Sequence, residues 1–486
     1  MKTTLKILAL GLLLTIGNAQ ASVIQTPSQT TTPLPALESL KNDKPLTFNL
    51  PNMQRFDSKN GVPVIFTQLR ELPIVDISIT FGAGSAQDNQ IKANGHGIAA
   101  LTATMMTQGT TEMDEHAFAK ASELLGAAFG AVAFKDTFVY RLRSLSDKEQ
   151  LTPALTLFGQ MISSPSFDPA ILKRNQDQIL LSFSAQQERP NQLGRKQFFK
   201  TLYGTHPYAI ATEGTAQSVV GITREDLLAY KNTFLVADNA YISITGDLSA
   251  KQAQDIANRL SANLPKGQKV SALPSPSKPS PSHLHIPYDS KQTHVFIGHL
   301  GEKSTTDPNK LQELTNFSLG NSVLAGGDFN AHLMKEIRDK HGYTYGIGGN
   351  MTTLEERGYY LISFATQNDK ASDAIKKTLH TINHTLSTGI SQDELELERS
   401  ARLSAYPMSL ATNSAIHATA THLNIKNLPD SHISDYPKRL QHATLNDVNQ
   451  ALRTFIRPDE FIIITIGKDK PDLTSVLSYA QTQTGE

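Results

Sequence analysis

One segment of the chain occurs twice, and this repeat restricts the possible folds more than any other feature. Residues 222–247 align without gaps with residues 443–468. The identical pairs share one offset, 444 − 223 = 221 residues, and include Thr223 with Thr444, Phe234 with Phe455, and Gly246 with Gly467. Each copy has the pattern of a Thr N-cap, an amphipathic helix, a turn and a β-strand. A chain of 486 residues with such a repeat should fold as two homologous domains.

A segment rich in proline and serine separates the two halves. The sequence SALPSPSKPSPS, residues 271–282, cannot hold a helix or a central strand, because proline lacks an amide donor and restricts its neighbours. We predict an N-terminal domain over residues 46–268, a linker over residues 269–285 and a C-terminal domain over residues 286–486.

The patterns within each half indicate an α+β fold. FVYRLRSL and GYYLISFATQ alternate apolar and polar residues, as half-buried antiparallel strands do. Residues 373–387 and 392–405 have the periodicity of amphipathic helices. Strands interrupted by paired helices predict two homologous sandwich domains, each a mostly antiparallel sheet packed with helices.

The first residues have the pattern of a secretory signal peptide. Lys2 and Lys6 precede an apolar run, and the small-residue site AQA follows it. The run is too short to span a membrane, which disfavours the alternative of an uncleaved anchor. We predict a cleaved signal peptide over residues 1–21, a flexible lead-in over residues 22–45, and export to the periplasm without a membrane span.

Composition excludes several classes of function. The chain has 45 basic and 45 acidic residues, so its charge gives no reason to expect nucleic acid or an anionic membrane as a partner. It contains no cysteine, which excludes disulfides, thiolate metal sites and a cysteine nucleophile. A metal site would have to use His, Asp and Glu.

Several short motifs resemble one family. They are FGAGS at residues 81–85, GIA at residues 97–99, Gly109-Thr110, and THPYAIATEGT at residues 205–215. In this order they are similar to the first domain of the inverted zincins, the family of pitrilysin, insulinase and the mitochondrial processing peptidase. The resemblance covers roughly residues 48–468 and implies that the two sandwich domains form one half of a clamshell.

The resemblance also implies a zinc site that this sequence lacks. In the family, two His at i and i+4 and a later Glu bind Zn²⁺, and a Glu beside the second His activates the bound water. The corresponding positions here are Ala100, Ala103, Thr104 and Ser182. No His or acidic residue lies between Ile98 and Gln108, so a shifted alignment does not restore the motif. We therefore expect no catalytic zinc and no other metal cofactor in this chain.

Other histidines do not replace the missing ligands. His380 and His384 have the i, i+4 spacing, but both should point away from the apolar stripe of their helix, towards solvent. His283 and His285 fit a strand entry better than a metal site. His96 lies one turn before Ala100 with no acidic residue beside it.

A second part of the family's active chamber is retained. EIRDKHGYTYGIGG, residues 336–349, resembles the family segment with an Arg and a Tyr seven residues apart, which are Arg338 and Tyr345 here. We expect a helix that ends near Lys340, a turn and then a strand. Such donors can bind a substrate carbonyl and stabilise an oxyanion. The alternative is that Arg338 pairs with a local acid and Tyr345 packs within the strand.

The family's substrate strand corresponds to GAVAFKDTFVY, which begins at Gly130. In the family this strand reads Asn-Ala-x-Thr and pairs with an extended peptide through backbone hydrogen bonds. Gly130 and Ala133 replace the Asn and the Thr, whereas Ala131 is retained beside Val132. Backbone pairing should survive these changes, but side-chain recognition should not.

These features predict a non-catalytic subunit of a periplasmic zinc metallopeptidase heterodimer. A paralogous partner would carry the HxxEH motif and the zinc, and this chain would contribute Arg338 and Tyr345 to the shared chamber that binds peptide. Metalloendopeptidase activity would then belong to the complex and not to this chain alone. The main alternative is a peptide-binding or scaffolding module without hydrolysis. An active peptidase of one chain is the least favoured hypothesis.

Overall fold

Two β-sheets with helices packed on them make up the part of the chain that the structure describes. The structure is a computed structural model and describes residues 51–474, which lie within one contact unit, Phe48–Glu486. The predicted signal peptide over residues 1–21 and the predicted lead-in over residues 22–45 lie outside the described residues.

The first sheet is mostly antiparallel. Its six strands are β1 (Met53–Asp57), β2 (Pro63–Gln68), β3 (Ile74–Phe81), β4 (Ala128–Ala133), β5 (Phe138–Leu145) and β6 (Ala240–Gly246). Their order is β1-β2-β6-β3-β5-β4, and only β2 and β6 pair in parallel. β4 is therefore an edge strand.

The first half forms a series of helices, several of which bury one face of this sheet. They are α1 (Asp88–Ile91), α2 (Ile98–Met105), α3 (Glu115–Leu125), α4 (Lys148–Ser163), α5 (Pro169–Gln187), α6 (Pro190–Tyr203), α7 (Ala216–Val220), α8 (Arg224–Phe234) and α9 (Ala250–Ser261). Side chains from α2, α4, α8 and α9 form one apolar core with β3 and β5. Burial of this surface is the main stabilisation of the layer.

The second sheet repeats the first without the β1 strand. Its strands are β7 (Ser282–Pro287), β8 (Gln292–Leu300), β9 (Ile347–Thr352), β10 (Tyr359–Gln367) and β11 (Ile462–Gly467), in the order β7-β11-β8-β10-β9. β7 begins inside the predicted linker, residues 269–285. The residues from Ser282 to Ile286 include no proline, so they can pair in parallel with β11 at the sheet edge.

The second half also forms a series of helices. They are α10 (Pro308–Ala325), a π-helix (Met334–Lys340), α11 (Ala371–Thr388), α12 (Gln392–Ala405), α13 (Asn413–Ile425), α14 (Ser431–His442) and α15 (Leu445–Phe455). Side chains of α10, α11 and α15 bury the inner face of the second sheet. Within residues 51–474, no helix has both the length and the apolar character required to cross a membrane.

The repeat in the sequence is a repeat in the structure. Thr223 caps α8 and Thr444 caps α15 through bonds to backbone amides, and each helix leads into the central strand β6 or β11. The predicted α+β fold with two homologous, mostly antiparallel sandwich domains is confirmed.

Each half also contributes a helix to the outer face of the other half's sheet. α6, from the first half, packs against β8 and β11 of the second sheet, and α13, from the second half, packs against β2, β3 and β6 of the first sheet. α6 buries Phe198 and Leu202 in an apolar cluster with Phe296 and Ile464. The exchange joins the two halves through buried apolar surface.

The α13 contact combines apolar packing of Ala420 and Leu423 on Ile65 with polar contacts. His417 Nε2 lies 2.7 Å from Ser78 Oγ, and its Nδ1 lies 3.0 Å from Thr245 Oγ1. The Asn424 amide donates to the Ile242 carbonyl oxygen at 2.8 Å. Burial lowers the pKa of His417 to about 4, so the ring is neutral at pH 7 and can both donate and accept.

Candidate functional site

The helix α2, which carries the predicted zinc-ligand positions Ala100, Ala103 and Thr104, is held at its N-terminus by a buried carboxylate. Asp88 accepts hydrogen bonds from the amides of Gly97 at 2.8 Å and Ala99 at 3.0 Å. Gly97 has φ of +102°, and a Cβ there would meet the Glu213 carbonyl oxygen at 2.8 Å, so the position requires glycine. Burial raises the pKa of Asp88 to about 7, although the two amide hydrogen bonds act in the opposite direction.

The predicted metal-ligand positions offer no zinc site. Ala103 is buried and, like Ala100, has no ligand atom; the Thr104 hydroxyl donates to the Ala100 carbonyl oxygen at 3.1 Å. Ser182 lies exposed on α5, where its hydroxyl accepts from the Gln186 amide at 3.3 Å. α5 packs against α2, so the architecture around the site is kept. The side chains present do not fit a zinc ion, which needs deprotonated or lone-pair ligands in a tetrahedral arrangement.

Two other pairs of histidines occupy the positions that the sequence predicted, one on a helix surface and one in a strand. His380 and His384 are exposed on α11 and stack on each other with ring centroids 6.3 Å apart. His283 and His285 lie in β7 and both contact Thr465 Oγ1, at 2.9 and 3.0 Å. Within residues 51–474, no group of three or more His, Asp and Glu is placed to hold a metal ion.

Asp88 and a second charged residue near α2, Lys135, were missed by sequence analysis. Lys135 lies in the turn between β4 and β5, and its ammonium donates to the Ile210 carbonyl oxygen. Burial lowers the pKa of Lys135 to about 8, and nearby carboxylates oppose that shift. The turn passes so close to Gly84 that a Cβ there would meet the Phe134 and Lys135 carbonyl oxygens at 2.4 Å. The acidic residue soon after the FGAGS motif was the available signal for Asp88; Lys135 had none.

The predicted substrate strand is β4, and its geometry is compatible with peptide pairing. Gly130, Ala131, Val132 and Ala133 are half-buried and pair with β5 on one side. No other strand among residues 51–474 pairs with the opposite edge of β4. β4 also contacts α2, the helix that carries the predicted zinc-ligand positions.

The structure brings Arg338 and Tyr345 to one cavity. The π-helix ends at Lys340, Gly342 turns the chain with φ of +63°, and β9 follows. Both side chains line an open cavity of about 1040 Å³ at the end of the second sheet where β8 begins and β10 ends. Tyr345 is 92 % exposed, so it is available to a ligand and is not packed within a strand.

Arg338 is oriented by an aromatic ring more than by an acid. Its guanidinium lies 4.6 Å from the centre of the Phe329 ring, a cation–π distance. The nearest acidic contact, to Asp339, is long at 3.4 Å, and Glu336 pairs instead with Lys340 and His341. The guanidinium therefore keeps donors free for a ligand.

Comparison with known proteins identifies the family. The description "Insulinase (Peptidase family M16)" matches residues 64–216, and "Peptidase M16 inactive domain" matches residues 221–402. The chain belongs to the M16 peptidase family. The predicted resemblance is therefore confirmed.

Three similar proteins have names that differ in the activity they state. A solved structure of a peptidase M16 inactive domain from Pseudomonas fluorescens is 34 % identical, with a TM-score of 0.81, and the alignment covers 87 % of this chain and 99 % of that one. An uncharacterized zinc protease of Rickettsia felis is 25 % identical over 337 residues, 69 % of this chain and 79 % of that protein. A non-peptidase homolog of Helicobacter pylori is 23 % identical over 420 residues, 85 % of this chain and 93 % of that protein.

Proposed function

We propose that this M16 chain is a non-catalytic subunit of a periplasmic zinc metallopeptidase, in which a paralogous partner carries the HxxEH motif and the zinc ion. One contrast carries the proposal. α2 and its surroundings are kept in the fold while the zinc-ligand positions hold no ligands, yet Arg338 and Tyr345 line one open cavity. The two donors are thus open to a ligand in a chain that has no zinc ligands of its own at the predicted positions.

Arg338 and Tyr345 would act on a peptide held in the shared chamber. The zinc of the partner would supply the activated water. The guanidinium and the phenol of this chain are donors that can bind the substrate carbonyl and stabilise the negative charge that develops on it. The free edge of β4 would align the peptide by backbone hydrogen bonds, which do not require the Asn and Thr side chains that this strand lacks.

The names of the similar proteins support the non-catalytic role. The relatives from Pseudomonas fluorescens and Helicobacter pylori are called an inactive domain and a non-peptidase homolog, whereas the Rickettsia felis relative is called a zinc protease. The signal-peptide pattern in residues 1–21 supports periplasmic export. A heterodimer of one zinc-binding and one non-catalytic M16 chain would account for all of these observations.

The second candidate is a peptide-binding or scaffolding module that does not hydrolyse its ligand. The open edge of β4 favours it, because strand addition needs only backbone groups and no metal. In that case Arg338 and Tyr345 would bind a carbonyl or carboxylate of the ligand without catalysis.

Affinity purification of the tagged chain from the periplasm of its native host, followed by mass spectrometry, distinguishes the two candidates. A stoichiometric partner with an HxxEH motif supports the peptidase subunit. Recovery of the chain without such a partner supports the binding module.

The role of Arg338 is tested in the purified complex. We expect Arg338→Ala to lower peptidase activity by about 10²-fold or more, as loss of an oxyanion donor does, with little change in assembly. Lys335→Ala is the matched control, because Lys335 is an exposed cation on the same π-helix and does not line the cavity. Equal activity of the Arg338→Ala and wild-type complexes would refute the proposed role.

A further inference from the structure

A groove lies beside the free edge of β4, on the face of the first sheet that α13 covers. Its volume is about 720 Å³, and it is lined by β3, β4, β5 and α13. α13 packs on β2, β3 and β6, so the exposed faces of β5 and β4 form the floor of the groove next to the helix. Any peptide strand added to β4 would place every second side chain on this face.

Arg141 brings a positive charge to the groove. It lies exposed on β5, and within residues 51–474 its guanidinium has neither a hydrogen-bond nor an ion-pair partner. Arg143, two residues further along the same face, is different. It forms two bonds to the Asp76 carboxylate, at 2.7 and 2.8 Å, so its charge is already balanced.

Gly130 leaves the path from Arg141 to the free edge open. Gly130 is the cross-strand partner of Arg141, and a Cβ at Gly130 would have no atom within 4 Å. Neighbouring strands lie about 4.8 Å apart, so an added strand would lie about 9.6 Å from β5. The side chains of an arginine and a glutamate together can bridge that distance when no side chain stands between them.

We propose that the β4 edge selects extended peptides with Asp or Glu at the position opposite Gly130, where the carboxylate meets Arg141. This inference rests on the proposed function, because it requires a peptide that pairs with β4. The position opposite Ala128 lies next to Arg143, the cross-strand partner of Ala128, whose charge Asp76 has balanced. Acid selection is therefore confined to one position of the bound peptide.

A buried hydroxyl adds to the polar character of the floor. Thr80 is 3 % exposed and lines the groove, and among the described residues its Oγ1 has no hydrogen-bond partner. Thr80 lies on β3, in the row of Val139 and not in the row of Arg141, so the proposed selection does not depend on it.

The absence of cysteine from the chain allows the register of a bound peptide to be fixed. Val132→Cys places one thiol on the groove face of β4, two residues from Gly130. The probes are synthetic ten-residue peptides of alternating Val and Thr with a single Cys. Each peptide carries one Glu, or one Gln, either two residues before or two residues after that Cys. The measurement is the 2-mercaptoethanol concentration at which half of the protein remains joined to the peptide by a disulfide.

Of the two Glu peptides, we expect the one whose Glu lies opposite Gly130 to require about 2- to 10-fold more 2-mercaptoethanol for half release than its Gln counterpart. A difference of this size suits a partly exposed ion pair. Arg141→Gln should abolish this difference. Arg70→Gln should retain it, because Arg70 is exposed in the loop after β2, three strands from β5 in the sheet.

The remaining outcomes distinguish failure of the acid selectivity from failure of strand addition to β4. Control peptides contain proline, which cannot complete the backbone pairing of a strand. If the Val/Thr peptides resist 2-mercaptoethanol better than these controls, but Glu and Gln peptides do not differ, then β4 binds peptide and the proposed selectivity is refuted. If the Val/Thr peptides are retained no better than the proline-containing controls, then strand addition to β4 fails, and the selectivity fails with it.

Discussion

The Asp88 carboxylate fixes the start of α2, the helix that carries three of the predicted zinc-ligand positions. It satisfies two amides at the N-terminus of the helix, where four amides lack partners within the helix and the dipole favours a negative group. Desolvation nevertheless raises its pKa to about 7. The folded protein therefore binds a proton at Asp88 more tightly than the unfolded chain does, for which the ordinary value is 3.8.

This difference gives a pH-dependent prediction for Asp88→Asn. Because the folded pKa is raised, the stability that wild-type Asp88 contributes is present in full below about pH 4 and falls as the pH rises towards 7. The substituted asparagine would not titrate, so the stability lost in Asp88→Asn should be larger at about pH 5 than at about pH 7.5. Urea unfolding of both proteins at the two pH values measures it, and a loss that grows with pH would contradict the prediction. The nearby Lys135 has a pKa of about 8 and stays protonated over most of this range.

Among the elements, those with strong local signals could be predicted closely. The predicted helix over residues 392–405 coincides with α12 (Gln392–Ala405), because Ser391 and Glu394 form a capping box at its start. The predicted helix end near Lys340 also coincides with the end of the π-helix, although its π-helical geometry has no signature in the sequence. Local pattern determines where an element starts and stops.

The sheets that α6 and α13 cover could not be predicted. An apolar stripe shows that one face of a helix is buried, but it does not show which sheet covers that face. α6 packs across on the second sheet, where Gly194 is required, since a Cβ at that position would meet the Phe296 ring at 2.3 Å. Contacts between residues this distant in sequence follow from the whole fold.

The α6 contact should contribute much of the stability between the halves. Phe198 is completely buried in the cluster that α6 forms with the second sheet. We expect Phe198→Ala to lower the free energy of unfolding by about 3–5 kcal/mol, as other buried Phe truncations do. Phe134→Ala is the matched control, because Phe134 is 47 % exposed and should change stability by less than about 1 kcal/mol. Urea unfolding compares the two, and equal losses would show that α6 is not held by this packing.

In the whole molecule, equivalent parts of the two halves also meet at their hairpin turns. The Asp136 carboxylate, between β4 and β5, accepts from the Glu355 amide, between β9 and β10, at 3.1 Å. The Tyr208 hydroxyl donates to the same carboxylate and accepts from the Glu356 amide at 3.2 Å. The halves are thus joined by exchanged helices and by polar contacts between equivalent turns, in addition to the chain segment that links them.

The segment that links the two halves, residues 269–285, should therefore be dispensable once the chain has folded. A site for a sequence-specific protease, inserted after the exposed Ser277, would let the connection be cut in the native protein. We expect the two fragments to stay together in gel filtration without denaturant, because α6 remains on the second sheet and α13 on the first. A denaturing gel confirms the cut, and the same cut in Phe198→Ala should promote separation. Two separate peaks from the cut wild-type protein would show that the exchanged helices do not hold the halves together.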